Sequence, residues 1–228
     1  EGDVLGFDGR TVTYAQGKRY CHIADENGAS LKYRLDFAQN IWKERPEMSL
    51  KPVFSLEDKY TGEKTGSKFK RIREKMKENG CNAHVLSSLD DIAWLLNIRG
   101  NDIEFFPLVL AYAIITKNTV ELYIDESKLD DEMKSNLAKD SVVLHPYNDI
   151  YEDARKIGEN EVVLLDPSKV NYALYNNIPS NVLKVEKRNP EILFKAIKNP
   201  VEIENIKKAQ IKDSVAHVRF MKWLKENV

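Results

Sequence analysis

The sequence predicts an α/β domain with a mixed sheet flanked by helices, followed by one long C-terminal helix. Three observations predict it. Short apolar runs of strand length alternate with amphipathic stretches across residues 58–190. One run, residues 108–115, is almost wholly apolar, as a central strand covered on both faces must be. After Pro200 the chain holds neither Pro nor Gly, and its apolar residues recur at helical spacing.

Taken in order, residues 4–7 read as a strand ended by Asp8-Gly9, a turn pair. Residues 14–26 follow as a helix stopped by Asn27-Gly28, with a glycine suited to a left-handed cap. Residues 31–35 alternate as a strand. Residues 36–44 form a helix carrying Ile41-Trp42, which Arg45-Pro46 ends. This α/β order is too small for a whole domain, so residues 1–57 are the C-terminal end of one plus a linker. The linker, residues 47–66, is polar and irregular, with Pro52 and Gly62.

Residues 66–79 give a helix with Phe69, Ile72 and Met76 on one face, capped by Gly80. Residues 83–87 are a strand, and residues 108–115 and 120–124 are two more, joined at Lys117-Asn118. Residues 142–145, 162–165 and 182–185 are three further short strands, with helices at residues 130–137 and 150–157 between some of them. Together they make one α/β domain over residues 58–190. Residues 191–228 are a third unit. Asn199-Pro200-Val201-Glu202 opens its helix with an Asn N-cap, Pro at the first helical position and Glu at the third. Ile203, Ile206, Ile211, Val215, Val218, Met221 and Leu224 line that helix, and this face is expected to dock on the domain body or on another chain.

Composition removes several function classes. In 228 residues, 42% hydrophobic and 31% charged, Lys+Arg 35 against Asp+Glu 36 leaves a net charge of −1. Such a balance gives no global attraction to nucleic acid or to anionic membranes. Apolar runs fall short of a membrane helix. Cys21 and Cys81 lack C-x-x-C spacing, and no signal segment is visible, which fits a reduced, cytoplasmic chain. Cys81 reads as a buried structural thiol.

Catalytic motifs are absent by spacing. His22, His84, His145 and His217 do not sit in a metal-ligand repeat, which leaves only long-range convergence for a metal. No glycine-rich phosphate loop occurs. Lys68, Lys70, Arg71, Arg73, Lys75 and Lys77 form a basic run interrupted by Glu74, read as the solvated face of a helix rather than a nucleic-acid patch.

One segment stands out. Ser88-Leu89-Asp90-Asp91-Ile92-Ala93-Trp94-Leu95 is a short helix, with Ser88 and Asp91 as capping residues and Ile92, Trp94 and Leu95 as core anchors. Asn97, Arg99 and Asp102 follow on a loop. A guanidinium on an anchored loop suits recognition of a carboxylate or carbonyl. An internal pair of Arg99 with Asp102 or Asp91 is the alternative, and the residues alone leave both open.

This segment resembles the D-x-I-A-W-L-x-N-x-R-G-x-D stretch of the three-domain Xaa-Pro aminopeptidases, of the creatinase family of metallopeptidases. Ile41-Trp42-Lys43-Glu44-Arg45-Pro46, Tyr60-Thr61-Gly62, Ala111-Tyr112-Ala113-Ile114-Ile115, Ala196-Ile197-Lys198-Asn199 and Ile211-Lys212-Asp213 resemble further family segments, in the same order. The resemblance implies the end of domain I, a creatinase-like domain II, and the first helix of a catalytic pita-bread domain III. It implies hydrolysis of the bond before proline by two metal ions, usually manganese, held beyond residue 228. On it, this chain holds no catalytic residue and no metal. Arg99, with Asn97 and Asp102, is implied to face a proline-containing peptide substrate at the cleft. The parent is implied to be a cytoplasmic homodimer. A non-catalytic peptide- or histone-binding module with a creatinase-like fold is the alternative.

Overall fold

The computed structural model describes residues 2–228. Its N-terminal part is a β-α-β unit. Strand β1 (Val4–Gly6) leads into α1 (Tyr14–Glu26) and then β2 (Ser30–Lys32), which pairs parallel to β1. Thr13 caps α1 through a reciprocal capping box with Gln16, and Gly28 ends it at φ +63°. Helix α2 (Phe37–Ile41) starts on the Asp36 side chain, which accepts from the Gln39 amide.

The unit is fastened to the rest of the chain by α1. Gly17 lies so close to Tyr172 that a Cβ there would sit 2.0 Å from its ring, and only glycine fits. Tyr14 stacks on Tyr175 with ring centroids 3.4 Å apart. Backbone amides of Tyr14 and Ala15 donate to the carbonyls of Val170 and Pro167.

The stretch expected to be a linker is built into the fold. Strand β3 (Phe54–Ser55) comes from it, and α3 (Asp58–Thr61) follows, closed by Gly62 at φ +64°. Val53 beside them is buried. The polar composition hid this strand because it is two residues long and carries no alternation.

The body is a three-layer sandwich. Helix α4 (Thr65–Glu78) precedes β4 (Ala83–Leu86), α5 (Leu89–Leu95), β5 (Ile98–Arg99), β6 (Tyr112–Thr116) and β7 (Val120–Tyr123). Then come α6 (Asp131–Lys139), β8 (Val142–His145), α7 (Ile150–Asp153), β9 (Val162–Leu165), α8 (Tyr172–Asn177), β10 (Leu183–Glu186) and α9 (Pro190–Ala196). The main sheet runs β10-β9-β4-β6-β7-β8. β4, β9 and β10 are mutually parallel, β6 is antiparallel to β4 and β7, and β8 is parallel to β7.

Alternation along the strands feeds two cores. Phe69, Ile72 and Met76 of α4 pack with Ala113 and Ile115 on one face. Ile150, Tyr151 and Leu174 pack with Ile114 and Tyr123 on the other. The apolar run at 108–115 is therefore central and doubly covered as expected, although pairing starts only at Tyr112 because residues 108–111 close the loop before it.

The last helix, α10 (Pro200–Asn227), has the capping box and first-position Pro read from the sequence. Its first turns rest on α3 through Asn199 and Asn205, a polar contact in place of the docked apolar face that the sequence predicts. Beyond them Ile206, Ile211, Val215, Val218 and Trp223 are exposed. The apolar stripe does not fold back on the body, because the body's apolar faces are already filled by α4 to α9.

Candidate functional site: the Arg-Gly loop

Helix α5 is short and almost entirely buried, with Ile92, Ala93 and Leu95 at 0–1% exposure. It anchors the loop that follows. Asn97 turns the chain at φ +53°, a conformation asparagine tolerates better than most residues. β5 then pairs antiparallel with β3, setting Phe54 opposite Arg99 and Ser55 opposite Ile98. Gly100 packs against Val109, where a Cβ would meet Val109 Cβ at 3.1 Å. The amides of Gly100 and Asp102 donate to the carbonyls of Pro107 and Leu108, closing the loop at its base.

The three residues singled out by sequence are held on this loop by three different sets of partners. Asn97 is buried: its Oδ1 accepts from Lys68 Nζ at 2.5 Å, and its Nδ2 donates to the Glu63 carbonyl at 2.9 Å. Asp102 is ion-paired to Lys128, with its side chain sealed from solvent, and its Oδ2 also accepts from the Leu110 amide at 2.7 Å. Arg99 is half-buried, and one guanidinium nitrogen donates to the carbonyls of Ala93 (2.7 Å) and Ile98 (2.8 Å). The alternative pairs of Arg99 with Asp102 or Asp91 are not formed. Asp102 has taken Lys128, and Asp91 has taken Lys195 and Asn189.

Arg99 is the loop residue with donors to spare. Two acceptors are used by one nitrogen, while the guanidinium carries five N–H groups in all. Burial pulls its pKa down, and Glu202 at the start of α10 opposes this. The arrangement presents a fixed, partly desolvated cation whose free donors suit an anionic or carbonyl oxygen.

Sequence reasoning missed the cations beneath the loop. Lys68 belongs to the run read as a solvated face, yet it is 2% exposed, donates to Trp94 O at 2.7 Å and lies 4.5 Å from the Trp94 ring centre. Its spacing to Ile72 and Met76, one helical turn each, was the available signal. Burial pushes its pKa down to about 8, against the pull of Glu63 and Glu202. The capping reading holds for Ser88 by position and fails for Asp91. Ser88 holds the N-cap position without a side-chain cap bond, and Asp91 is buried, accepting from Asn189 Nδ2 at 2.9 Å.

A second polar cluster lies between β4 and α9. His84 Nδ1 contacts the Leu164 carbonyl at 3.0 Å, and Nε2 contacts Glu191 at 3.3 Å, all fully buried. Elsewhere a cleft of about 600 Å³ holds Glu121 against His145 at 2.7 Å, remote in sequence from the Arg-Gly loop. Cys81 is buried, and burial raises its thiol pKa. Among the described residues no group of three or more His, Cys, Asp or Glu is placed to hold a metal ion. The donor set therefore does not fit a dinuclear metal centre, and the loop holds no acid–base pair or nucleophile.

The sequence pattern of the creatinase/prolidase N-terminal domain matches residues 44–202. Xaa-Pro aminopeptidase 1 of Dictyostelium discoideum is 42% identical over 208 residues, which cover 90% of this chain and 32% of that protein. The probable Xaa-Pro aminopeptidase P of Neurospora crassa is 35% identical over 239 residues, covering 100% of this chain and 35% of that protein. The crystal structure of the Caenorhabditis elegans X-prolyl aminopeptidase, described as a cytosolic enzyme with a di-nuclear active site, has a TM-score of 0.89 and 31% identity. That similarity covers 99% of this chain and 38% of the worm protein. The chain thus spans about a third of the length of the curated relatives it matches. A mixed six-stranded sheet carrying the Arg-Gly loop, and a sequence match that runs through it, make this chain a member of the creatinase/prolidase N-terminal domain family.

Proposed function

We propose that this chain is the non-catalytic N-terminal portion of a metal-dependent Xaa-Pro aminopeptidase, which hydrolyses the bond after an N-terminal residue that precedes proline. The observation that carries this reading is likeness along 99% of the chain to 38% of one such enzyme. On this reading residues 1–57 end domain I, residues 58–190 are domain II, and residues 191–228 begin the catalytic domain. Two metal ions, manganese by family resemblance, are held by the parent's catalytic domain. The parent is cytoplasmic and dimeric.

Domain II then shapes one wall of the cleft. Arg99 is the residue that contacts substrate, by donating its free N–H groups to a peptide carbonyl or carboxylate. Asn97 and Asp102 serve the same contact from beneath, by fixing the loop on Lys68 and Lys128.

The test is the full-length protein, stripped of metal and assayed on Xaa-Pro peptides. Cleavage restored by manganese supports the enzyme reading, and no cleavage under any divalent metal overturns it. Arg99→Ala is expected to lower kcat/KM about tenfold, equivalent to ~1.4 kcal/mol. Unchanged kinetics in that variant would remove Arg99 from the substrate contact.

A further inference from the structure

We infer that the Tyr60-Thr61-Gly62 turn is a seat that fixes the direction of α10, with Asn199 and Asn205 as positioning residues; its bearing on catalysis rests on the reading above.

The geometry is specific. α3 ends in carbonyls that its own short helix leaves without partners. The Thr61 carbonyl accepts from Asn199 Nδ2 at 2.7 Å, and the Lys59 carbonyl accepts from Asn205 Nδ2 at 2.8 Å. Both donors lie in the opening turns of α10. Gly62 makes the close approach possible. A Cβ there would lie 2.4 Å from Asn199 Oδ1 and 2.7 Å from Val201 Cβ, and its φ of +64° disfavours any other residue. Asn199 is used twice. Its Oδ1 caps α10 by accepting from the Glu202 amide at 2.9 Å, while its Nδ2 makes the contact to α3.

Glu202 completes the seat. Its carboxylate accepts from the Asn199 amide at 2.9 Å and faces the charges of Lys68 and Arg99. The first turn of α10 is thereby related to the Arg-Gly loop. Beyond Asn205 the helix side chains are mostly exposed, so the α3 contact is the one that sets its angle. A 28-residue helix is roughly 40 Å long, and a small tilt at its seat moves its far end by many ångströms.

The double function of Asn199 supplies the discriminating variant. Asn199→Ser keeps an oxygen that can cap the helix but loses the amide that reaches Thr61. Spin labels at Lys70 of α4 and Lys212 of α10, in a Cys21→Ser, Cys81→Ala background, report the angle as a distance distribution. A narrow distribution is expected in the labelled chain, broadened at least twofold by Asn199→Ser with Asn205→Ala, while helix content stays constant. A distribution already broad before those substitutions, or one still narrow in the double variant, overturns the inference.

In the full-length protein the same pair is expected to lower kcat/KM about tenfold with an unchanged unfolding midpoint. Asn205→Gln, which keeps an amide donor, should recover part of that loss. Broadened distances in the chain with no Xaa-Pro cleavage by the parent would fail the enzyme reading and leave the seat standing. Broadened distances with undiminished cleavage would sink the positioning role alone.

Discussion

Lys128 passes beneath the Arg-Gly loop to reach Asp102, and the two side chains are 2% and 0% exposed. This ion pair joins residues 26 apart in sequence and holds the loop base against the segment that follows β7. Removing one partner strands the other charge in a dry site. Asp102→Ala is expected to destabilise the chain by about 3–5 kcal/mol. Replacing both residues by apolar ones of similar size should cost much less. Urea denaturation of the two single variants and the double variant measures the coupling, and additive losses would show that the pair is not a unit.

His84 and Glu191 give a pH dependence whose sign is fixed by their geometry. Burial works against the imidazolium, but the Glu191 carboxylate from α9 prevails, helped by the Leu164 carbonyl from β9 and Asp91 from α5. The His84 pKa is raised above its ordinary 6.5. The folded chain therefore keeps a proton that the unfolded chain releases. This contribution is complete below about pH 6.5 and is lost as pH climbs through the folded value. Denaturation free energy should fall over that window, and Glu191→Gln should flatten the fall. A wild-type profile with no component sensitive to that substitution would refute the assignment.

Lys68 acts in the opposite direction at higher pH. Burial holds its pKa at about 8, below the usual 10.5. Between those values the unfolded chain binds the extra proton, so stability rises with pH there. Lys68→Met should remove the rise while leaving the His84 component intact. Titrating stability in both backgrounds separates the two groups.

Phe105 is the plainest case of local strain. It is 93% exposed and sits at φ +65°, where a bulky side chain crowds the backbone. Phe105→Asn is expected to stabilise the chain by about 1 kcal/mol, raising the melting midpoint by roughly 2–4 °C. A lower midpoint would mean that the ring makes a contact worth more than the strain.

The regular elements were legible where pattern and punctuation agree. α1 runs over the residues expected, because Thr13 and Asn27-Gly28 mark both ends. β8 and β9 fall where short apolar runs lie between polar turns. β3 and α3 were not legible, since two-residue and four-residue elements carry no periodicity. α8 and α9 were passed over although Asn171 and Asn189-Pro190 mark their starts. The Arg-Gly loop was found from its residue types, but its wiring was not. Lys68, Lys128, Lys195 and Asn189 come from distant parts of the chain, and a buried charge looks in sequence like a solvated one until its partner is placed.

The docking of α1 onto α8 has a consequence for cleavage of the chain. The N-terminal β-α-β unit is held by Gly17 against Tyr172, by the Tyr14–Tyr175 stack and by backbone bonds from Tyr172 to Val12 and from Ala173 to Gly9. The covalent link between that unit and β3 crosses residues 43–52, which are largely exposed and outside any helix or strand. Continuity of the peptide there is not what keeps the two parts together. A protease that nicks this stretch should leave a complex of two fragments that elutes as one species, and the fragments made separately should reassociate on mixing.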